Sequence, residues 1–201
     1  MYNDCMANMD PEYVALQQMI VDLSFVKRGH NLANTAVREN DVEHSMMVTL
    51  LCWYLYEKLQ PDLDLTKVLK YAMCHDFVEQ YAGDVSTFAS ADARLAKSAN
   101  EAAALRRIEQ EHAAFSDLTK TMADYERKHD EESKFVWTID KMQTLIMGDM
   151  DEWRPYIEVN TSYQTFSDKY NELLAQSSRY CKEIFRELID YCQTTYYDRP
   201  K

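Results

Sequence analysis

Residues 70–88 read KYAMCHDFVEQYAGDVSTF. The apolar surroundings predict a buried helix, yet His75, Asp76 and Glu79 fall within one turn of it, and Gly83-Asp84 follow directly. A histidine and two carboxylates are costly to bury without partners. The stretch is therefore either an exposed polar face or a place where something binds, and the rest of the chain decides which.

Working outward, Asp64 or Thr66 caps this helix, which is expected to run to Ala82 and stop at Gly83. Before it, DVEHSMMVTLLCWYLYEKL from Asp41 is apolar nearly all round, the mark of a central helix, and Pro61 ends it. A first helix is expected after Asp10-Pro11, with Val14, Leu16, Met19, Ile20 and Leu23 at helical spacing. Between these two, KRGHNLANTAVREND is polar and irregular and reads as a loop. Downstream, the alanine-rich ADARLAKSANEAAALRRIEQEHAAF, then SDLTKTMADYERKH, then SKFVWTIDKMQTLIM up to Gly148 read as helices, followed by a long one over about 162–194. Only three glycines and four prolines occur, and no period-two strand is visible. The expectation is all-α: one domain over 1–201, a bundle of six or seven helices.

Composition narrows the function. The net charge is −12 and no basic run occurs, so binding to a nucleic-acid polymer is not expected. A small anionic substrate remains admissible if a metal and a few local cations supply positive charge. Cys5, Cys52, Cys74, Cys181 and Cys192 are scattered without a C-x-x-C pair, and are expected to be reduced thiols. With neither a signal peptide nor a membrane span in view, a cytoplasmic protein is expected.

Four positions together carry chemistry. His44 opens the central helix, His75 and Asp76 are adjacent on the next, and Asp140 interrupts the apolar face of FVWTIDKMQ. Two imidazoles and two carboxylates suit one divalent ion such as manganese, cobalt, iron, nickel or zinc, with magnesium also admissible. Adjacent helical residues diverge by about 100°, so the set needs several helices to converge.

In this pattern the sequence resembles the HD-domain metal-dependent phosphohydrolases. ENDVEHS, HDFVEQYAGD and FVWTIDKMQ, within residues 25–147, look like the bacterial 5′-deoxynucleotidase branch. The resemblance implies that His44, His75, Asp76 and Asp140 hold the metal and that Glu79 handles the attacking water or the leaving group. It implies that Arg28 grips phosphate, with Lys27 able to share that role. Asp84 would bond the sugar 3′-hydroxyl and select deoxyribose, and Thr87 and Ser86 would line the pocket. The family's tryptophan after the arginine, which shapes the nucleotide pocket, is replaced here by Gly29-His30; His30 is expected to be a loop histidine in solvent, with contact to a base or phosphate as the alternative. Arg38 is expected to pair with the acids of the END motif.

The implied reaction is cleavage of a deoxynucleoside monophosphate to deoxynucleoside and phosphate. Phage dATP triphosphohydrolases resemble the same branch, so release of triphosphate from a deoxynucleoside triphosphate is the first alternative. A non-catalytic helical interaction protein is the second. The apolar residues of the last helix, Tyr170, Leu173, Leu174, Ile184, Phe185, Leu188 and Ile189, are expected to support a homodimer or higher oligomer.

Overall fold

The computed structural model describes residues 10–33, 35–84 and 91–197. Asp10 caps the first helix, α1 (Pro11–Leu23), by accepting the Glu12 amide at 3.0 Å, and Pro11 takes the first helical position. There its missing N–H leaves no helical bond unmade.

Segment 27–41 is not the expected loop. Strand β1 (Lys27–Asn31) pairs antiparallel with β2 (Arg38–Asn40), with an irregularity in register. Its inward positions are polar, so the apolar alternation that betrays most strands is missing. Helix α2 (Asp41–Leu59) follows at once through a reciprocal cap. The Asn40 side chain accepts the Val42 and Glu43 amides at 3.0 and 3.1 Å, and the Glu43 carboxylate accepts the Asn40 amide at 3.0 Å. Two of the residues in ENDVEHS are thus there to start a helix.

Helix α3 (Leu65–Cys74) is capped by Asp64, which accepts the Lys67 amide at 3.2 Å. It does not run on to Ala82. The next turn is tightened to three-residue bonds, the Phe77 amide to Cys74 at 3.1 Å and the Glu79 amide to Asp76 at 2.8 Å. Meanwhile the His75 ring donates to the Ala72 carbonyl at 2.9 Å, a side-chain bond that competes with helical continuation. A single-turn helix, α4 (Glu79–Ala82), ends at Gly83, whose φ is 73°.

Helices α5 (Ala91–Glu111) and α6 (Ser116–Arg127) lead to α7 (Glu131–Met150), on which the bundle is assembled. Gly148 does not stop α7. A Cβ there would come within 2.9 Å of the Tyr156 ring and 3.2 Å of the Trp153 ring, so the glycine permits close approach rather than termination. Left-handed Glu152 and Trp153 (φ 53° and 61°) turn the chain into α8 (Arg154–Glu158). The expected last helix is two, α9 (Tyr163–Gln176) and α10 (Lys182–Tyr197). The break falls at the fully buried Ser178, whose amide is donated to Thr138 Oγ1 at 2.9 Å.

The fold is an all-α bundle with one small hairpin. Eight helices of ten or more residues and two short ones occur among the described residues, against the six or seven expected. One core cluster joins α2, α3, α7, α9 and α10 through residues such as Val48, Tyr71, Phe135, Ile139, Phe166 and Phe185. A second holds Met19, Leu23, Cys74, Ile108 and Met122, and His75 follows directly on it. Tyr170, Leu173, Phe185 and Ile189 lie in the first cluster, with Leu174, Ile184 and Leu188 partly buried against it. The larger exposed apolar residues include Met46, Leu50, Trp53 and Tyr54 on α2. Cys52, Cys74, Cys181 and Cys192 are buried and unpaired, and Cys5 lies outside the described residues. No helix among the described residues is long and apolar enough to cross a membrane.

Candidate metal centre

The first turn of α2 supplies His44, the tight turn after α3 supplies His75 and Asp76, and the middle of α7 supplies Asp140. All four meet. His44 Nε2 is 3.1 Å from Asp140 Oδ1 and 3.5 Å from Asp76 Oδ2, and His75 Nε2 is 3.2 Å from Asp76 Oδ2. One donor atom each from His44, His75 and Asp140 lies within 4.8 Å of the others.

The hydrogen bonds set the tautomers. A carbonyl can only accept, so His75 Nδ1 carries the proton that it gives to Ala72, and Nε2 presents a lone pair. That Nε2 is buried, has no hydrogen-bond partner, and lies near the Asp76 oxygen. A lone pair facing an anionic oxygen is unfavourable unless a cation lies between them. The donor set and this orphaned nitrogen both fit a divalent metal held by His44, His75, Asp140 and Asp76.

Charge is balanced by neighbours that the sequence did not reveal. Burial works to lower the His44 imidazole, as does Arg28, but hydrogen bonds to Asp140 and Glu39 raise it to about 9. Burial works to raise Asp140, but Lys141, 2.7 Å from its Oδ2, together with His44, holds it well below the usual carboxylate range. Burial likewise opposes ionisation of Asp76, and Arg28, 2.8 Å from its Oδ2, and His44 hold it low.

Arg28, expected to grip phosphate, is tied to the cluster itself. Its Nη1 donates to Asp76 Oδ2 at 2.8 Å and Asp41 Oδ1 at 3.1 Å, and lies 3.7 Å from Glu79 Oε2. Glu79 is 3% exposed and accepts a hydrogen bond from Lys97 Nζ of α5 at 3.0 Å. Burial and the adjoining Asp76 push the Glu79 carboxyl up to about 10, against the pull of Lys97 and Arg28. Asp41, Asp76 and Glu79 form a second acidic group, in which Arg28 already provides positive charge.

The cluster opens into a cavity of about 280 Å³. Arg28, Lys97, Lys141 and Arg38 line it together with Asp76, Glu79, Asp84 and Asp140, so an acidic protein concentrates cations here. Lys27 is exposed and does not line the cavity, because strand alternation turns it away from Arg28. Thr87 and Ser86 lie outside the described residues. Arg38 does not pair with the END acids: it donates to the Gly29 carbonyl and approaches Glu158 at 3.7 Å. His30 is not in solvent but 8% exposed, in the cavity wall.

Sequence reading also missed Glu39, Lys97, Lys141 and the wall provided by α8. Lys141 adjoins Asp140 in the quoted motif and Glu39 opens ENDVEHS, so a signal existed for both. Lys97, in an alanine-rich run far along the chain, gave none.

No curated protein matches the chain. The protein is similar in structure to a predicted metal-dependent phosphohydrolase of Magnetospirillum magnetotacticum MS-1, with TM-score 0.76 and 21% identity over 94% of this chain and 96% of that one. It is also similar to a conserved hypothetical protein of Pyrococcus furiosus (TM-score 0.61, 24% identity, 87% and 98% covered). A Pyrococcus horikoshii OT3 protein shares the fold too (TM-score 0.60, 19% identity, 86% and 98% covered). At these identities the likeness concerns the fold. The family model described as HD domain matches residues 20–180 and so spans every residue of the cluster, and the chain belongs to the HD-domain family.

Proposed function

We propose that the protein is a metal-dependent phosphohydrolase of deoxynucleotides, and that it cleaves a deoxynucleoside 5′-monophosphate to deoxynucleoside and phosphate. One observation carries the reading: His44, His75, Asp76 and Asp140 converge beside buried Glu79 in a cavity lined by Arg28, Lys97 and Lys141. The description of the Magnetospirillum protein is in keeping with it. A single divalent ion (manganese, cobalt, iron, nickel, zinc or magnesium) bound by His44, His75, Asp76 and Asp140 would supply positive charge to the phosphoryl oxygens and acidify water.

The chain's own groups supply the rest. Arg28 anchors Asp76 and Asp41 through Nη1, and the rest of its guanidinium is the bidentate donor for phosphate oxygens. Lys97 and Lys141 add charge on two other sides of the cavity. Glu79 is the proton carrier. A carboxyl whose ionisation burial and Asp76 oppose is a donor to the leaving 5′-oxygen while protonated and, once ionised, an acceptor from water. Asp84, which lines the same cavity just past Gly83, is the group for the sugar 3′-hydroxyl.

Metal analysis and a phosphate-release screen of deoxynucleoside and nucleoside monophosphates with manganese, cobalt and magnesium test this. Phosphate release from deoxynucleotides that Asp76→Ala abolishes is expected. A native protein that binds no divalent metal, with Asp76→Ala leaving turnover unchanged, would sink the reading and favour a non-catalytic helical protein. Arg38 and Lys141 provide more cations than one phosphate requires, which favours a deoxynucleoside triphosphate as the second reading. Triphosphate released from dATP, in place of phosphate from dAMP, would select it.

A further inference from the structure

The hairpin and α8 form a part of the cavity wall that the metal cluster does not use. Gly29 and His30 lie on one side, and Pro155, Tyr156 and Val159 on the other. Arg28 and His30 are two residues apart on β1, about 7 Å along the strand. Arg28 reaches Asp76, whereas His30 lies against Tyr156, with ring centroids 6.3 Å apart. The Tyr156 hydroxyl is bonded to the Tyr170 hydroxyl at 2.8 Å and its ring packs on Trp153 and Phe166, so Tyr156 lines the cavity as an apolar residue whose polar atom is already engaged.

His30 is the unexplained member. It is 8% exposed, and its buried Nδ1 has no hydrogen-bond partner. An unpaired buried nitrogen destabilises the fold, and groups held at such a cost cluster where ligands bind. Burial, reinforced by Arg28 and His44 and opposed by Glu39 and Asp151, lowers the imidazole to about 4. A neutral ring has one donor and one acceptor but no charge. It suits the edge of a heterocycle better than a phosphate, which finds its cations at the Arg28 end.

We propose that this end of the cavity is a nucleobase subsite, in which Pro155, Tyr156 and Val159 cover the flat faces of the base and His30 hydrogen-bonds its edge. The inference rests on the deoxynucleotide reading above and adds to it the residue that sets base preference. An aliphatic group would fill the apolar wall but give His30 nothing to bond. A nitrogen heterocycle meets the apolar wall and bonds the imidazole edge that lines the cavity.

The test uses deoxynucleosides, which lack phosphate. Binding of deoxyadenosine, deoxyguanosine, deoxycytidine and thymidine to the full chain with manganese is measured by calorimetry for wild type, His30→Leu and His30→Gln. The best-bound deoxynucleoside is expected to lose about tenfold or more in affinity in His30→Leu, with discrimination among the four bases collapsing. His30→Gln, which keeps a donor and an acceptor, is expected to recover part of it. Because the unpaired nitrogen is gone, His30→Leu is expected to melt about 2–4 °C higher than wild type. A His30→Leu protein that melts lower, or that binds the four deoxynucleosides as wild type does, overturns the proposal, as does a wild type that binds none of them at millimolar concentration. Phosphate release is scored separately. His30-dependent binding without turnover of any deoxynucleotide would uphold the subsite and sink the hydrolase reading, and turnover without His30-dependent binding would do the reverse.

Discussion

Glu39 Oε1 accepts the Nδ1 proton of His44 at 3.2 Å, and both side chains are fully buried. The same oxygen accepts the Gln143 amide at 3.1 Å. Glu39 thereby holds the ring with Nε2 toward Asp140 and Asp76, as carboxylates behind metal-binding histidines do.

Glu39→Gln is therefore expected to weaken manganese affinity about 10–100-fold, since an amide can present the wrong group to His44. Calorimetric titration with the metal alone reads this directly. Unchanged affinity would show that Glu39 does not orient His44.

Gly148→Ala sets two effects against each other. Alanine gains about 1 kcal/mol of helix propensity over glycine. Its Cβ, however, would meet the Tyr156 ring at 2.9 Å and the Trp153 ring at 3.2 Å, and both rings are buried. Overpacking of this kind costs about 1–3 kcal/mol, and aromatic neighbours such as Phe166 and Tyr196 leave the rings little room to yield. A net fall in melting temperature of about 2–4 °C is expected, with a change in Trp153 fluorescence. A rise would mean that the wall formed by α8 is soft.

Asp130 caps α7, accepting the Ser133 amide at 2.7 Å, and lies 2.9 Å from Lys67 Nζ. Burial opposes its ionisation, but the Ser133 amide and Lys67 lower it from 3.8 to about 2. A carboxyl depressed in the folded state stabilises fully above its unfolded value and loses that contribution as pH falls through the folded one. Asp130→Ala should cost about 1–2 kcal/mol at pH 7, and the gap from wild type should close between pH 4 and pH 2. Urea melts across that range check it. A gap independent of pH would assign the loss to packing.

Gly29 lines the cavity, and a Cβ there would meet nothing within 4 Å. Arg28 and His30 face inward from β1, so a side chain at Gly29 stands on the strand's other side, with Lys27. Gly29→Trp should therefore fold normally and leave KM within about twofold of wild type in steady-state kinetics. A tenfold rise in KM would mean that the indole folds back over the cavity mouth.

The helices were legible because their signals are local. Asp10-Pro11 and Asp64 act over two or three residues, and apolar spacing marks the buried faces of α3 and α7. His44, His75, Asp76 and Asp140 could be named together because three motifs resemble those of the HD-domain family in order and spacing; taken alone, a His-Asp pair has an ordinary structural explanation. The hairpin could not be seen, since its inward residues, Arg28 and His30, face a polar site instead of a core. Nor could the break at Ser178, which depends on a bond to Thr138, forty residues away in the chain. Residue type and local spacing suffice for helix, cap and ligand candidate. Which lysine reaches Glu79, which carboxylate holds His44, and which histidine is buried unpaired are decided by packing alone, because each depends on side chains that only the folded bundle brings within hydrogen-bond distance.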